Sequence, residues 1–222
     1  MNNLTLIIPA KNEAESLPKV LIELEKYNYN INVVLHESDI CTIDSIKNFN
    51  VKIIYQEKKG YGDALIEGIK RCETNFFCIF NADGSFNPEE IKPMFNKIDK
   101  ENFDFIFGSR YEKNAGSEDD TIVTFFGNFI FSLFGKIFFN LKLTDILYTF
   151  VVGKTQVAKE LNLKSKDFSF CVELPIKANR MNFKLITSKS HERPRLGGKK
   201  KVNALKDGTL ILISMIKLFI KN

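Results

Sequence analysis

The sequence has few of the residues that build zinc sites or disulfide frameworks. Its 222 residues include four cysteines and two histidines. The cysteines, at positions 41, 72, 78 and 171, form no C-x-x-C pair, and two histidines cannot complete a zinc-finger spacing. We therefore expect free thiols, as in a protein of the reducing cytosol.

Targeting segments and long uninterrupted apolar runs are also scarce. The start, MNNLTLIIPAKNE, has no basic segment before its apolar run and soon reaches Pro9, which indicates a first strand rather than a signal peptide. Residues 122–141 are long enough to span a bilayer, but polar residues recur at every fourth position, at 124, 128, 132, 136 and 140. This pattern predicts an amphipathic helix, with a membrane span as the alternative. The final run, GTLILISMIKLFIKN, is too short to span and would dock on the core or lie on lipid.

Composition indicates a globular chain of one large domain. The sequence is 44% hydrophobic and 27% charged, and its net charge of +5 leans weakly towards anionic partners. The densest basic run, ERPRLGGKKK, has no interleaved aromatic residues that would stack on bases, so we expect no nucleic-acid partner. A solvated basic surface is the alternative reading of this run.

The first half of the chain alternates strand-like and helix-like segments. Apolar runs at 4–8, 31–35, 51–55, 76–80 and 103–107 are separated by helical patterns at about 14–27, 42–48, 62–72 and 88–99. Strands this apolar predict a mostly parallel sheet covered by helices on both faces. In such sheets, ligands bind beyond the carboxyl ends of the strands. The residues that follow these strands are polar in every case: PAKNEAE, HESD, QEKKGYGDA, NADGS and GSR.

Six ordered motifs carry a resemblance that runs from about residue 4 to 205: IPAKNEAESLP, GYGDALIEG, FNADGS, FGSRY, TDILYTF and ERPRLGGKKK. The chain resembles the family 2 glycosyltransferases, and within them the dolichyl- or polyprenyl-phosphate sugar transferases. The resemblance implies a GT-A fold, an α/β, Rossmann-like arrangement with a mostly parallel central sheet. We expect a catalytic domain over 1–205 and a C-terminal amphipathic helix over 206–222 that associates with a membrane.

The resemblance also implies which strand ends hold the donor. The nucleotide-sugar-binding residues it indicates are Pro9, Ala10, Asn12, Glu13, Glu37, Lys59, Gly60, Gly62, Asn81, Ala82 and Asp83. A strand-to-helix turn offers free N–H groups to an anion, and the glycines would let the backbone approach a ligand. His36 and Glu37 stand where relatives carry two Asp, so a loop without a binding role is the alternative there. For the other loops that follow strands, the alternative is an ordinary strand–helix turn.

Asn81 and Asp83 are the candidate metal ligands. Alternation after a strand aims both side chains to one side. Relatives carry Asp-x-Asp here, which holds Mg²⁺ or Mn²⁺ against the sugar diphosphate, and oxygen ligands suit these hard cations. In this chain the first Asp is Asn, so we expect Asp83 to be the principal ligand and the affinity to be weaker than in a two-carboxylate site. A turn without a metal is the alternative.

The remaining motifs point to the acceptor and to catalysis. The resemblance implies that Arg110, Arg195 and Lys201 bind phosphate, and that Asp145 is the catalytic acid or base alongside Asp83. Arg195, Gly198 and Lys201 match the pattern Arg-x-x-Gly-x-Ser-Lys except that Lys200 replaces Ser. A surface salt bridge for Arg110 and a helix N-cap for Asp145 are the structural alternatives.

The predicted activity is inverting transfer of a sugar from a nucleoside diphosphate to a polyprenyl phosphate, with Mg²⁺ or Mn²⁺. We expect the protein to be cytoplasmic and peripheral on the cytoplasmic face of a membrane, where the segment 122–141 and the basic tail contact lipid. The alternatives are transfer to a sugar hydroxyl in cell-surface glycan synthesis, or nucleotide binding without transfer. A sugar hydroxyl needs a positioned general base, whereas an ionised phosphate does not.

Overall fold

The structure, a computed structural model, describes residues 3–198 and 201–220. The strands are β1 Leu4–Pro9, β2 Asn30–Leu35, β3 Lys52–Tyr55, β4 Phe76–Ile79, β5 Phe105–Ser109, β6 Gly116–Ser117, β7 Val151–Lys154, β8 Leu185–Lys189 and β9 His191–Glu192. The helices are α1 Leu17–Glu25, α2 Ile40–Ile46, α3 Tyr61–Lys70, α4 Ile91–Glu101, α5 Ile122–Phe139, α6 Thr155–Glu160, α7 Phe170–Arg180 and α8 Ala204–Ile220. A 3₁₀ turn, Pro88–Glu90, leads into α4.

The seven-stranded sheet has the order β3-β2-β1-β4-β7-β5-β8, and β6 pairs with β9 beside it. Strands β1 to β4 are mutually parallel, whereas β7 runs antiparallel to both β4 and β5. Because β4 and β5 are both antiparallel to β7, they point the same way. The expected mostly parallel sheet is therefore confirmed, and the loops that follow β1 to β5 all lie at one edge.

Alternating residues of the strands pack into two apolar cores, one on each face of the sheet. Leu4, Leu6 and Ile8 of β1 face one core, which α1 and α4 cover. Ile7 faces the other core, which α3 and α7 cover. This alternation confirms helices on both faces of the sheet, as the apolar runs predicted.

Helix α5 has a polar face turned towards the protein. Thr121 caps its first turn through the backbone N–H of Thr124, and the helix ends at Asn140, which adopts a left-handed conformation with φ 52°. Of the predicted polar stripe, Asn128 is 1% exposed and Ser132 is 9% exposed. The side-chain oxygens of these two residues accept hydrogen bonds from the backbone N–H groups of Leu147 and Ile146. These two residues of the polar stripe thus satisfy the backbone of an internal loop, whereas Lys136 and Asn140 of the same stripe are exposed.

The opposite face of α5 is apolar and exposed. The large side chains on this face are exposed by 41% to 78%: Ile122, Val123, Phe125, Phe126, Phe129, Ile130, Leu133, Ile137 and Phe138. Among the described residues, α5 is the one helix long and apolar enough to cross a membrane, with mean hydropathy 1.7 and 22% of its length buried. Its amphipathicity is confirmed, but it is inverted relative to a helix that packs on a soluble core.

Helix α8 continues this surface. Ile211 and Met215 of α8 pack with Phe139, at the end of α5, in a third apolar cluster. On the outward side, Leu205, Leu212 and Ile216 are exposed by 86%, 37% and 49%. We call the exposed apolar residues of α5 and α8 together the apolar face.

Two glycines in helices have opposite surroundings and give a matched test of this packing. A Cβ on Gly68 of α3 would lie 2.3 Å from Ile7 Cγ2 of β1, whereas a Cβ on Gly127 of α5 would meet nothing within 4 Å. Gly68→Ala should lower the free energy of unfolding by about 1–3 kcal/mol through overpacking. Gly127→Ala should raise it by about 0.5–1 kcal/mol through helix propensity. Urea unfolding checks both changes, and an equal gain from the two would contradict the close approach of α3 to β1.

Candidate active site

Asn81 and Asp83 follow β4 and converge on one serine. Asp83 is 7% exposed, and its Oδ1 accepts hydrogen bonds from Ser85 N at 3.0 Å and Ser85 Oγ at 2.7 Å. The Asn81 amide donates to the same hydroxyl at 3.4 Å. The Asp83 Oδ2 atom pairs with Arg195 Nη1 at 2.9 Å. The two predicted ligands are therefore adjacent, and the carboxylate is held in one orientation.

These two side chains fit a cation that a substrate helps to bind. Within residues 3–198 and 201–220, no group of three or more His, Cys, Asp or Glu residues is arranged to hold a metal. Mg²⁺ and Mn²⁺ sites of transferases commonly use one or two protein oxygens and complete their coordination with substrate phosphates and water. One carboxylate and one amide oxygen match that kind of site.

The turn after β1 is held by α2. Asn12 adopts φ 53°, and its N–H donates to Asp39 Oδ2 at 2.6 Å. The N–H of Glu13 donates to Thr42 Oγ1 at 3.0 Å. The Glu13 carboxylate is 5% exposed, accepts a hydrogen bond from Ser16 Oγ at 2.6 Å and pairs with Lys201. Sequence reasoning missed Asp39 as the residue that shapes this turn.

The first strand end also places Pro9 and Ala10 at the same edge, where the N–H of Ala10 donates to Val34 O at 2.9 Å. After β2, His36 Nδ1 lies 2.7 Å from Ser38 Oγ, so this histidine stabilises its own turn. Glu37 is exposed beside it, and its contact with a nucleotide stays a prediction. Ala82 is buried between the two candidate ligands.

The two glycines at the start of α3 also have a packing role, which the sequence did not predict. A Cβ on Gly60 would lie 2.0 Å from Lys166 O, and a Cβ on Gly62 would lie 2.2 Å from Ser165 O. Both glycines therefore make room for a loop of this chain, and their contact with a nucleotide-sugar stays a prediction. Lys59 is exposed beside them, and its contact with phosphate stays a prediction.

Tyr61 joins this region to the loop before β7. Its hydroxyl lies 2.6 Å from Thr149 Oγ1 and donates to Asn81 Oδ1 at 3.5 Å. Burial raises the pKa of Tyr61, so it stays neutral at ordinary pH. The Thr149 hydroxyl thus links Tyr61 to the loop before β7.

Arg110, Asp145 and Glu192 form a buried cluster after β5. The Arg110 Nε and Nη2 atoms donate to the two Asp145 oxygens at 2.8 and 2.9 Å, and Nη1 donates to Glu192 Oε2 at 3.0 Å. The guanidinium also lies over the Tyr148 ring, 4.6 Å from its centroid. Burial alone would lower the pKa of Arg110, but the hydrogen bonds and charges of Asp145 and Glu192 raise it above its usual value.

This geometry changes the roles expected for Asp145 and Arg110. Both oxygens of Asp145 are engaged by Arg110, and the side chain has no exposed surface, so it is not placed to take a proton from a substrate. Asp145 instead positions Arg110. Two carboxylates around one guanidinium leave no spare positive charge, so this cluster by itself does not favour a phosphate dianion. Sequence reasoning missed the role of Glu192, the first residue of the basic run ERPRLGGKKK.

The basic run crosses the same edge of the sheet. Arg195 contacts Asp83, and its Nε donates to Asp119 Oδ2 at 3.2 Å. Lys201 pairs with Glu13. Arg195 and Lys201, two of the three residues predicted to bind phosphate, are therefore paired with carboxylates predicted to hold the donor. Lys199 and Lys200, which belong to the same basic run, lie outside the described residues.

Comparison with known proteins identifies the family. A family model described as glycosyl transferase family 2 matches residues 5–161. An uncharacterised glycosyltransferase of Mycobacterium tuberculosis is 25% identical over 209 residues, which are 94% of each chain. A dolichol-phosphate mannosyltransferase from Pyrococcus furiosus is 32% identical over 124 residues, which are 52% of this chain and 35% of that one.

Two solved structures share the fold at low sequence identity. Glucosyl-3-phosphoglycerate synthase from Mycobacterium tuberculosis, in complex with Mn²⁺, UDP and glucosyl-3-phosphoglycerate, has TM-score 0.78 at 11% identity over 98% of this chain and 80% of that chain. Mannosyl-3-phosphoglycerate synthase from Rubrobacter xylanophilus has TM-score 0.67 at 13% identity over 99% and 73%. At these identities the likeness shows the fold alone, and it confirms the expected GT-A arrangement.

The Arg110 cluster predicts unequal costs for its two carboxylates. Asp145→Asn should lower the free energy of unfolding by about 3 kcal/mol, because it breaks a bidentate pair whose partner stays buried. Glu192→Gln should cost about 1 kcal/mol, because a single hydrogen bond to Arg110 is weakened. Urea unfolding at neutral pH measures both values. Equal costs for the two substitutions would contradict the role of Asp145 as the main anchor of Arg110.

Proposed function

The chain belongs to glycosyl transferase family 2, and within that family we propose that it transfers a sugar from a nucleoside diphosphate to a polyprenyl phosphate. An oxygen of the lipid phosphate would attack the anomeric carbon as the bond from that carbon to the nucleoside diphosphate breaks, which inverts the configuration. Asp83 and Asn81 would hold a divalent cation, which supplies neutralisation of the charge that develops on the departing diphosphate.

The apolar face is the observation that carries the choice of acceptor. A soluble protein normally buries the apolar side of an amphipathic helix, but α5 buries Asn128 and Ser132 and exposes Phe126 and Phe129 by 57% and 56%. An exposed apolar surface of this extent marks a contact with a partner or a membrane. A polyprenyl chain and the bilayer that contains it match the apolar chemistry of this face.

The cations of α8 favour a lipid surface as the occupant. On a helix that advances 100° per residue, Lys206 and Lys217 lie next to the stripe formed by Leu205, Leu212 and Ile216. Both lysines are exposed. Lysines that flank an apolar stripe attract anionic headgroups, and this is the arrangement of helices that lie in the membrane interface. The proposal places the protein on the cytoplasmic face of a membrane.

The apolar face also adjoins the candidate active site. Asp119 holds Arg195 and lies three residues before Ile122, the first residue of α5. The Phe125 ring of α5 packs edge-on against Tyr111 with centroids 5.2 Å apart, and Tyr111 follows Arg110. A lipid whose chain rests on α5 can therefore present its phosphate near Arg195 without leaving the membrane surface.

The arrangement of Asp145 supports a phosphate acceptor over a sugar hydroxyl. A phosphate monoester has its second pKa near ~6, so it is largely ionised at neutral pH and attacks without a general base. A hydroxyl would need a base within hydrogen-bond reach, and Asp145 is fully engaged by Arg110. Phosphoglyceric acid, which is bound in solved structures of glucosyl-3-phosphoglycerate synthase, carries a hydroxyl as well as a phosphate, and a small soluble acceptor of this kind gives no reason for the apolar face.

The acceptor test compares a lipid phosphate with phosphoglycerate. The protein is incubated with Mn²⁺, a panel of radiolabelled UDP-, GDP- and CDP-sugars and either undecaprenyl phosphate or 3-phosphoglycerate. We expect label to enter the organic phase with the lipid phosphate, and Asp83→Ala to reduce this transfer by about a hundredfold or more, as expected for loss of a group that stabilises transition-state charge. Label on phosphoglycerate alone would contradict the proposed acceptor, and no transfer from any donor would favour a protein that only binds nucleotide.

The membrane test reverses the polarity of the apolar face. The pair Phe126→Glu and Phe129→Glu should weaken co-sedimentation with vesicles of zwitterionic and anionic phospholipid by about tenfold or more, since two Phe side chains no longer enter lipid. Both positions are exposed, so the fold should be retained. Ile22→Glu is the matched control, because Ile22 is 60% exposed on α1, away from this face. Equal vesicle binding by both variants would contradict the proposed contact.

A further inference from the structure

We propose that Arg195 neutralises Asp83 until a divalent cation binds there. The divalent cation then displaces the Arg195 guanidinium, which pairs with phosphate instead. The inference rests on the proposed role of Asp83 as a cation ligand. It gives Arg195 two successive partners at the same site, a carboxylate before the donor arrives and a phosphate afterwards.

The contacts of Asp83 make the two cations competitors. Its Oδ1 already accepts two hydrogen bonds from Ser85, at 3.0 and 2.7 Å. Its Oδ2 is the atom that Arg195 Nη1 contacts at 2.9 Å. A divalent cation that binds Asp83 therefore needs the oxygen that the guanidinium occupies. Asp119, the other carboxylate that Arg195 contacts, pairs with the Nε atom and not with the Nη1 atom that faces Asp83, so the guanidinium and the divalent cation compete for Oδ2 of Asp83 alone.

The main chain around Arg195 is anchored without its side chain. The N–H of Leu196 donates to Asp83 O at 2.8 Å, and the N–H of Arg193 donates to Ser85 O at 2.8 Å. The Arg193 guanidinium pairs with Glu23 at 2.7 Å. These bonds fix the chain on both sides of Arg195. Its side chain can therefore change partners while the backbone stays in place.

The exchange keeps every charge paired. When the cation takes Asp83, the guanidinium keeps its contact with Asp119 and turns its other N–H groups to the diphosphate or to the acceptor phosphate, which are better acceptors for its planar donors. No carboxylate or guanidinium at this partly buried edge is left alone, which would be costly. The exchange also provides the positive charge that the Arg110 cluster lacks.

The test measures cation binding without nucleotide or acceptor. Free Mn²⁺ is followed by electron paramagnetic resonance during titration of the full chain. Arg195→Met should tighten Mn²⁺ binding about fivefold, because the Arg195 guanidinium no longer competes with Mn²⁺ for Asp83. Lys201→Met is the matched control, because it removes the same charge from the same edge, but Lys201 pairs with Glu13 and not with Asp83. This variant should change the affinity for Mn²⁺ by less than about twofold. Arg195→Met should at the same time lower kcat/KM for the sugar donor.

A second measurement uses the unaltered chain. Modification of Arg195 by phenylglyoxal, quantified by mass spectrometry, should increase when Mn²⁺ is added alone, and should decrease again when UDP is also added. Unchanged or weaker Mn²⁺ binding by Arg195→Met, equal tightening by Lys201→Met, or no effect of Mn²⁺ on the labelling would each overturn the exchange. Asp83→Ala separates the two hypotheses: if it binds Mn²⁺ as the unaltered chain does, the proposed cation site itself is wrong.

Discussion

The structure depends on one constraint: carboxylates that are buried at the carboxyl edge of the sheet must each have a cationic partner. Glu13, Asp83 and Asp145 are exposed by 5%, 7% and 1%. Leaving any of them ionised and unpaired at such exposure would cost several kcal/mol. Their partners come from distant parts of the chain, so the charges hold together segments that the hydrophobic cores do not reach. The same pairing gives this edge carboxylates that can bind a divalent cation and basic side chains that can bind a diphosphate.

Much of the fold was predictable because its signals are local. The apolar runs of β1 to β5 and the polar residues that follow them are adjacent in sequence, and parallel strands bring such tips together. Strand β7 was not predicted, since its four residues depend on pairing with β4 and β5 on either side. The roles of individual site residues were less predictable. Asp145 is 35 residues from Arg110, and Gly60 is opposed by Lys166, so neither role can be inferred from a motif alone.

Helix α5 illustrates why a pattern does not determine its orientation. A polar stripe at every fourth residue predicts an amphipathic helix, but it does not say which side faces the protein. In α5 the middle of the stripe, Asn128 and Ser132, faces inward because the loop that follows needs acceptors for the N–H groups of Ile146 and Leu147. Unsatisfied buried N–H groups are costly, so Asn128 and Ser132 are better placed there than Phe side chains would be. The exposed Phe residues follow from this, and the proposed membrane contact would compensate for their exposure.

Donor and acceptor chemistry are connected through one chain of polar contacts. Asp83 contacts Arg195, and Arg195 contacts Asp119, whose N–H donates to the Ser117 hydroxyl at 3.2 Å. The Ser117 hydroxyl in turn donates to Glu192. Asp119 also lies immediately before the first turn of α5, so the contacts that begin at the candidate cation site end beside the apolar face. Because a guanidinium cannot serve a carboxylate and a phosphate with the same donors, arrival of the donor changes the charge offered to an acceptor that approaches along α5. The proposed exchange therefore predicts that the donor binds before the lipid phosphate, and this order needs no movement of the main chain.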